Sequence, residues 1–224
     1  MKNTAKTKTN KKTNPNKTKK QKALLLLSGG FDSPVAGKLL ENKFQLSAIH
    51  FSQTPFTDNS AEEKAKKICK LLGIPKLIII DAGETLHEIA KSTYPEFYFV
   101  LMKRYFMQVS EIIAEKEKCE YLITGESIGQ VSSQTASNLM NINLSTKIEI
   151  LRPLFFYTKQ EIIDKSKEFG FHEISKGPET CDALAHGKVK TKSKISDIMR
   201  EEKKCKMEQK IKQSLKKIRT EKIN

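Results

Sequence analysis

Short apolar runs separated by longer amphipathic stretches recur along most of the chain. Five runs predict β-strands, at residues 23–27, 46–51, 77–81, 121–124 and 148–151. The stretches between them predict helices over 34–43, 60–72, 100–118 and 160–169, the last of which ends at Gly170. Parallel strands that alternate with helices are joined by right-handed crossovers. The pattern therefore predicts an α/β fold with a doubly wound, mostly parallel sheet.

The two ends of the chain differ in composition from its middle. Residues 1–22 contain nine Lys and no acidic residue, and their Lys, Thr and Asn content predicts a disordered arm. Residues 187–224 contain fourteen Lys or Arg and five acidic residues, which predicts a basic helical tail that frays toward Asn224. The intervening residues 23–186 are long enough for one α/β domain with a substantial core.

The formal net charge of +15 is confined to these two ends. Each end has a net charge of +9, whereas residues 23–186 have a net charge of −3. Lysine-rich ends are typical of solvated or disordered segments, and composition by itself favours that interpretation. With a nucleic-acid substrate, arms that contact phosphates become the better interpretation.

Composition also excludes several classes of protein. No apolar stretch approaches the roughly 20 residues of a membrane span, and residues 1–22 lack the apolar block of a signal peptide. We therefore expect a cytoplasmic protein without membrane contact. The four cysteines are scattered with no Cys-x-x-Cys pair, which argues against a zinc module or a disulfide framework. Cys69 and Cys119 are predicted to be small core residues, and Cys205 has no assigned role.

The segment SGGFDS at residues 28–33 joins the first predicted strand to the first predicted helix. The N-terminus of a helix favours an anion, and Gly29 and Gly30 allow the backbone to approach that anion closely. Ser28 and Ser33 add hydroxyl donors. The segment matches neither the Walker loop nor the dinucleotide fingerprint. It predicts a site for the pyrophosphate part of a nucleotide, and its alternative interpretation is an ordinary glycine turn.

Asp32 allows two interpretations. A carboxylate is a poor neighbour for a bare phosphate, so Asp32 could act through Mg²⁺, which prefers oxygen ligands and bridges phosphate oxygens. The same residue type at a helix start is also typical of an N-cap.

Three further strings extend the motif: EFYFVLMKR at 96–104, LITGESIGQVSSQT at 122–135 and LRPL at 151–154. In this order and spacing they resemble the PP-loop domain of the tRNA 4-thiouridine synthetase family, also called tRNA sulfurtransferases. The resemblance extends over roughly residues 23–204. It implies that residues 23–186 form a PP-loop ATP pyrophosphatase domain, which cleaves ATP between the α and β phosphates and adenylates its substrate.

The resemblance also implies roles for individual residues. It places three catalytic residues, of which Asp32 is the candidate Mg²⁺ contact, Lys159 serves sulfur transfer and Cys181 is the catalytic cysteine. It places ATP binding at Leu26, Leu27, Ser28, Gly29, Gly30, Ser33, His50, Phe51, Lys103, Gly125 and Gln134. Taken alone, His50 would be a strand-end histidine, Lys103 a solvated lysine, and Lys159 an exposed lysine at a helix start.

The implied reaction has two stages. The O4 atom of a tRNA uridine, expected at position 8, attacks the α-phosphate of ATP and pyrophosphate leaves. A protein-bound sulfur then attacks C4, AMP leaves and 4-thiouridine remains. The implied cofactors are ATP and Mg²⁺. An iron–sulfur cluster normally requires three converging cysteines, and only Cys181 is suitably placed, so no cluster is expected.

The implied partners are tRNA and a sulfur donor, either a cysteine desulfurase persulfide or sulfide. Family members carry a THUMP domain before the PP-loop domain, and some end in a rhodanese domain. This chain has neither, so we expect a standalone catalytic domain that uses its basic ends or a separate THUMP-containing protein. Whether the protein forms a homodimer stays open. Two alternatives also stay open: sulfur delivery to the thiamine thiazole precursor, and a non-catalytic nucleotide-binding subunit.

Overall fold

A computed structural model describes residues 20–129, 134–177, 184 and 189–223. Within this part of the chain, six strands form one sheet in the order β5-β4-β1-β2-β3-β6. The first five strands in sequence are parallel to their neighbours, and β6 is antiparallel to β3. The strands are β1 (Lys22–Leu27), β2 (Gln45–Ser52), β3 (Lys76–Asp81), β4 (Tyr121–Ile123), β5 (Glu149–Leu151) and β6 (Ile218–Lys222).

Helices cover both faces of this sheet. In chain order they are α1 (Asp32–Leu40), α2 (Ser60–Leu71), α3 (Gly83–Ser92), α4 (Tyr98–Glu117), α5 (Ala136–Asn143), α6 (Lys159–Glu168), α7 (His172–Ser175), α8 (Ile195–Lys204) and α9 (Met207–Ser214). A single 3₁₀ turn, Pro95–Phe97, precedes α4. No helix among the described residues is both long and apolar enough to cross a bilayer.

Two apolar cores form because successive side chains of a strand point to opposite faces of the sheet. Leu24 of β1 belongs to the core beneath α3, α4, α8 and α9, whereas Leu25 belongs to the core beneath α1, α2 and α6. The result is a three-layer, doubly wound α/β fold, as the alternation of strands and helices predicts. All five predicted strands and all four predicted helices are present, with ends that differ by one or two residues, or three for α1.

The C-terminal segment differs from the fraying helical tail expected from the sequence. It does contain two helices, α8 and α9, but it continues into β6, which pairs with β3 along its whole length. Ile218–Lys222 has almost no apolar alternation, so its sequence gives no strand signal. Pairing with the edge of an existing sheet decides its conformation instead, because β3 offers unpaired backbone groups there.

At the other end of the chain, described structure begins before the predicted boundary at Ala23. Lys22 is the first residue of β1, and the Lys20 ammonium donates to the Glu41 carbonyl at 3.0 Å. The other residues of the predicted arm, 1–19, lie outside the described residues.

The topology defines where a ligand can bind. β1 lies between β2 and β4. From β1 the chain moves outward through β2 to β3 on one side, then returns to β4 and moves outward to β5 on the other side. In open α/β sheets, ligands bind in the crevice that this reversal leaves at the carboxyl ends of the strands. The segments that follow β1, β2 and β4 meet there.

Candidate active site

The loop after β1 closes upon itself before α1 begins. The Ser28 amide donates to the Ser33 hydroxyl at 2.9 Å, the two serine hydroxyls lie 3.1 Å apart, and the Gly30 amide donates to Ser28 Oγ at 3.3 Å. Phe31 is the N-cap of α1 and makes no capping bond with its side chain. The first-turn amides of α1 therefore lack a side-chain cap, as expected of a helix start that accepts an anion.

Asp32 does not cap the helix, since it is the first residue of α1 and its carboxylate is engaged elsewhere. The Lys159 ammonium donates to Asp32 Oδ1 at 3.1 Å. Lys159 begins α6, and the start of this helix is fixed by a capping box between Thr158 and Glu161. The structure thus brings together two of the three predicted catalytic residues.

A cavity of about 230 Å³ lies at the carboxyl ends of β1, β2 and β4. Its lining includes Asp32 and every residue predicted to bind ATP: Leu26, Leu27, Ser28, Gly29, Gly30, Ser33, His50, Phe51, Lys103, Gly125 and Gln134. Part of the lining is apolar, where Met102, Phe106 and Met107 of α4 join Phe51. Phe51 stacks on Phe106 with ring centroids 4.2 Å apart. The cavity therefore combines a polar glycine loop with an apolar wall suited to a flat ring.

His50 is a neutral, fixed side chain. Its Nδ1 atom lies 2.9 Å from the Leu27 carbonyl, which can only accept, so Nδ1 carries the proton and donates. Burial lowers the pKa of His50 below the ordinary value of 6.5. The histidine therefore presents a polar but uncharged group to the cavity, and its remaining ring nitrogen is an acceptor.

Lys103 belongs to a buried charge cluster that sequence reasoning missed. Glu126 Oε1 accepts from the Lys103 ammonium at 2.8 Å, and Glu126 Oε2 accepts from Arg152 Nε at 2.8 Å. Burial raises the pKa of Glu126, but the charges of Lys103 and Arg152 outweigh burial and hold the pKa at about 2. Both Glu126 and Arg152 occur in the strings LITGESIGQVSSQT and LRPL, yet neither string shows that the two side chains meet.

Two further residues of the cavity lining, Gly125 and Gln134, are suited to their positions for different reasons. A Cβ atom on Gly125 would lie 2.6 Å from the backbone of Asp32 and Ser33, so only glycine allows the segment after β4 to approach the loop. Gln134 lines the cavity, and its Oε1 atom is buried without a hydrogen-bond partner among the described residues. Buried polar atoms are rarely left unpaired, so this oxygen is suited to receive a donor from a ligand.

Cys181 lies outside the described residues. Two described residues that precede it, His172 and Gly177, lie beside residues of the cavity lining. His172 of α7 packs on Phe31 of the glycine loop, with ring centroids 5.5 Å apart. Gly177, with φ of +117°, has its Cβ position 3.2 Å from the ammonium of Lys64, which lines the cavity.

The other three cysteines are buried in the protein interior. Cys69 and Cys119 are buried in the two cores, which confirms their prediction as core residues, and Cys205 is buried as well. Burial raises the pKa of Cys69 to about 12 and that of Cys205 to about 11, and it also raises the pKa of Cys119. A buried thiol with a raised pKa is a poor nucleophile.

The described residues contain no group of three or more His, Cys, Asp or Glu side chains that could hold a metal ion by themselves. Mg²⁺ in nucleotide sites commonly uses one or two carboxylates together with phosphate oxygens. Asp32 is the carboxylate beside the glycine loop that fits this use. Its present partner is Lys159, so metal binding there would compete with that ion pair.

Comparison with known proteins identifies relatives. The profile of a family described as thiamine biosynthesis protein (ThiI) matches residues 18–207. A protein of Alkaliphilus oremlandii (strain OhILAs) named "Probable tRNA sulfurtransferase" is 36% identical over 210 residues, which is 91% of this chain and 54% of that protein. A protein of Bacillus subtilis (strain 168) with the same name is 38% identical over 184 residues, 79% of this chain and 46% of that protein.

Solved structures agree with these sequences. One described as a 4-thiouridine synthetase–RNA complex with bound ATP superimposes with a TM-score of 0.85 at 32% identity, over 91% of this chain and 55% of that chain. The NH3-dependent NAD synthetase of Campylobacter jejuni, at 18% identity and a TM-score of 0.51, shares the fold. The chain spans about half the length of the curated relatives it matches. Both the profile and the relatives place this chain in the ThiI family of tRNA sulfurtransferases.

Proposed function

We propose that this protein is the catalytic part of an ATP-dependent tRNA sulfurtransferase that converts a uridine, expected at position 8, into 4-thiouridine. The observation that carries the proposal is the cavity after β1, because all eleven residues predicted to bind ATP line it. Such convergence is not expected of scattered structural residues, since these residues come from five separate segments of the chain. The related 4-thiouridine synthetase structure contains both RNA and ATP, which supports the same ligands here.

The first stage is adenylation at the glycine loop. The uridine O4 attacks the α-phosphate of ATP, the bond between the α- and β-phosphates breaks, and pyrophosphate leaves with the bonding electron pair. The first-turn amides of α1 and the Lys103 ammonium are fixed before ATP binds, so they stabilise phosphate charge without further reorganisation. Mg²⁺, held by Asp32 and the phosphates, would neutralise part of that charge. Gln134 Oε1 and the Phe51 side of the cavity suit the adenine ring.

The second stage is sulfur transfer. The outer sulfur of a Cys181 persulfide attacks C4 of the adenylated uridine, the C4–O bond breaks and AMP leaves with the oxygen. A thiol of the sulfur-donor system then attacks the Cys181 sulfur, the S–S bond breaks and 4-thiouridine leaves with the electron pair. Cys181 is left in a disulfide that a second thiol reduces. Lys159 lies beside Asp32, where its ammonium can stabilise charge on the adenylate as AMP leaves. The approach of Gly177 to the cavity supports the role of Cys181, because it brings the preceding segment within reach.

The tRNA substrate requires a binding surface, and the basic ends of the chain are the candidate. Five cations of the C-terminal segment already form ion pairs with protein carboxylates: Lys190, Arg200, Lys204, Lys210 and Arg219. These five cations are therefore less available for phosphates. We expect the N-terminal lysines to contribute more to phosphate binding than the equal net charges of the two ends, +9 each, suggest. A separate THUMP-containing protein, the sulfur donor, a homodimer and a cytoplasmic location stay predictions.

Sulfur delivery to the thiamine thiazole precursor is a second function, favoured by the description of the matching family as a thiamine biosynthesis protein. One assay separates the two. The protein is incubated with ATP, Mg²⁺, unmodified tRNA, a cysteine desulfurase with cysteine as the persulfide source, and a thiol reductant. The tRNA nucleosides are then analysed by mass spectrometry while AMP and pyrophosphate are quantified. Formation of 4-thiouridine together with AMP supports the proposal, and the absence of both products in the presence of tRNA contradicts it.

A further inference from the structure

Two lysines among the described residues line the cavity, and they differ in one respect. Lys103 is neutralised by Glu126 at 2.8 Å. Lys64, which lies on α2, has no carboxylate oxygen within 4.0 Å among the described residues. An ammonium that forms no ion pair with a described carboxylate gains more from an anionic ligand than one that must first give up a carboxylate.

The other charges of the cavity increase this contrast. The described lining contains four carboxylates but only two lysines, and each carboxylate has a partner other than Lys64. Asp32 pairs with Lys159, Glu126 with Lys103 and Arg152, and Glu62 with Lys66 and Arg219. The fourth, Asp58, accepts from the Ser60 amide at 3.0 Å. Hydrogen bonding by Ser60 lowers the pKa of Asp58, and the charge of Lys64 adds to that effect from beyond ion-pair distance. The cations that pair with these carboxylates are already engaged, so an ammonium that forms no ion pair with a described carboxylate matters for the binding of a triphosphate.

The position of Lys64 points toward the glycine loop. Ala61, one helical turn earlier on the same face of α2, packs directly on that loop, since a Cβ on Gly29 would lie 2.9 Å from Ala61 Cα. Lys64 also lies beside Gly177, because a Cβ there would lie 3.2 Å from the lysine ammonium. The side chain thus stands between the glycine loop and the segment that leads to Cys181.

From these observations we infer that Lys64 is a further catalytic residue, which binds the β- and γ-phosphates of ATP and holds the pyrophosphate as it leaves. The inference rests on the proposed function, because it requires ATP in this cavity. During adenylation, the electron pair of the broken bond moves onto the β-phosphate oxygen. A lysine ammonium at that end of the nucleotide stabilises this negative charge. AMP has no β- or γ-phosphate, so its binding does not use Lys64.

The test compares ATP and AMP binding to the full chain by titration calorimetry in the presence of Mg²⁺. Lys64→Gln removes the charge but keeps much of the length, and Lys64→Arg keeps the charge. Lys67→Gln is the matched control, because Lys67 is an exposed lysine one turn further along the same helix. We expect Lys64→Gln to weaken ATP binding about 10- to 100-fold, the usual effect of one charged hydrogen bond, and to leave AMP binding unchanged. Lys64→Arg should retain most of the ATP affinity, and Lys67→Gln should retain all of it.

Three outcomes would overturn the inference: unchanged ATP affinity in Lys64→Gln, an equal loss of AMP affinity, or normal pyrophosphate release with failed thiolation. The last outcome would assign Lys64 to the sulfur of Cys181 instead. A wild-type protein that binds no ATP would contradict the proposed function itself, so the two failures are distinguishable. The dissociation constant of inorganic pyrophosphate provides a second readout. It should be higher for Lys64→Gln than for the wild type, because pyrophosphate carries the two phosphates that Lys64 is inferred to bind.

Discussion

Lys159 Nζ lies 3.1 Å from Asp32 Oδ1, although the two residues are 127 positions apart in the sequence. Asp32 follows β1 and Lys159 begins α6, so the contact closes one side of the cleft at the switch point of the sheet. The side chains are 47% and 25% exposed, and partly exposed ion pairs contribute at most about 1 kcal/mol to stability. Substitutions in this pair therefore test chemistry without unfolding the protein.

Asp32→Ala should abolish tRNA-dependent pyrophosphate release and leave the melting temperature close to that of the wild type. The substitution removes the carboxylate proposed to hold Mg²⁺ and deletes no core side chain. Pyrophosphate is measured with a coupled assay, and thermal unfolding is followed by circular dichroism. Asp164→Ala is a suitable control because Asp164 is an exposed aspartate that also pairs with a lysine, Lys167, away from the cavity. Unchanged pyrophosphate release in Asp32→Ala would remove the loop as the adenylation site.

Cys181→Ser should separate the two stages of the reaction. Serine keeps the size of the side chain and alters no charge needed for ATP binding, so AMP and pyrophosphate should still form when tRNA is present. No 4-thiouridine should form, because a hydroxyl cannot carry the sulfur. Cys205→Ser, which alters a buried thiol, is the control. If Cys181→Ser thiolates tRNA normally, the sulfur comes from another group or from free sulfide.

Glu126→Gln should destabilise the protein by about 3–5 kcal/mol at neutral pH, because it leaves Lys103 and Arg152 buried without their shared carboxylate. The pH dependence follows from the lowered pKa of Glu126. The carboxylate stabilises the fold fully above its unfolded value of 4.5, and this contribution disappears as pH falls through its folded value of about 2. Denaturant unfolding at several pH values should therefore show the wild type and the variant converging below pH 4.5.

The matched control for this prediction is Glu202→Gln. Glu202 accepts from Arg104 at 2.8 Å, and Arg104 is the residue next to Lys103 on α4 but belongs to a pair outside the cavity lining. Both variants should lose stability, and only Glu126→Gln should also change ATP binding or turnover. If both variants behave alike in the activity assay, the Glu126 cluster has a structural role alone.

Binding to tRNA should depend steeply on salt if the N-terminal lysines contact phosphates. Each neutralised phosphate contributes roughly −0.7 to −0.9 to the slope of log affinity against log salt. A variant without residues 1–19 should bind ATP normally, bind tRNA more weakly and show a shallower slope in filter-binding titrations. The C-terminal segment should be kept intact, because β6 completes the sheet. The same affinity and slope with and without residues 1–19 would show that the arm does not contact tRNA.

Local sequence determined the five parallel strands, most of the helices and the glycine loop. The run before Ser28 is apolar at five successive positions, 23–27, because β1 is covered by helices on both faces, and such a run is visible without any structure. The loop SGGFDS is equally local, since backbone geometry and a helix start require those residue types in that order. The same reasoning missed three short helices, α3, α5 and α7, although Thr135 caps α5 with its side chain.

Only the tertiary structure decided which side chains meet. The pairs Lys103–Glu126 and Asp32–Lys159 join elements that are distant in sequence, and pairing geometry is absent from any local pattern. Ile218–Lys222 became a strand because β3 offered a free edge, and Arg219 then reached Asp81 and Glu62 from it. The sequence by itself thus determined the nucleotide loop and the layers of the fold, because both follow from local periodicity and backbone freedom. The charge balance of the cleft, including the Lys64 ammonium that forms no ion pair among the described residues, exists only once the sheet has brought these segments together.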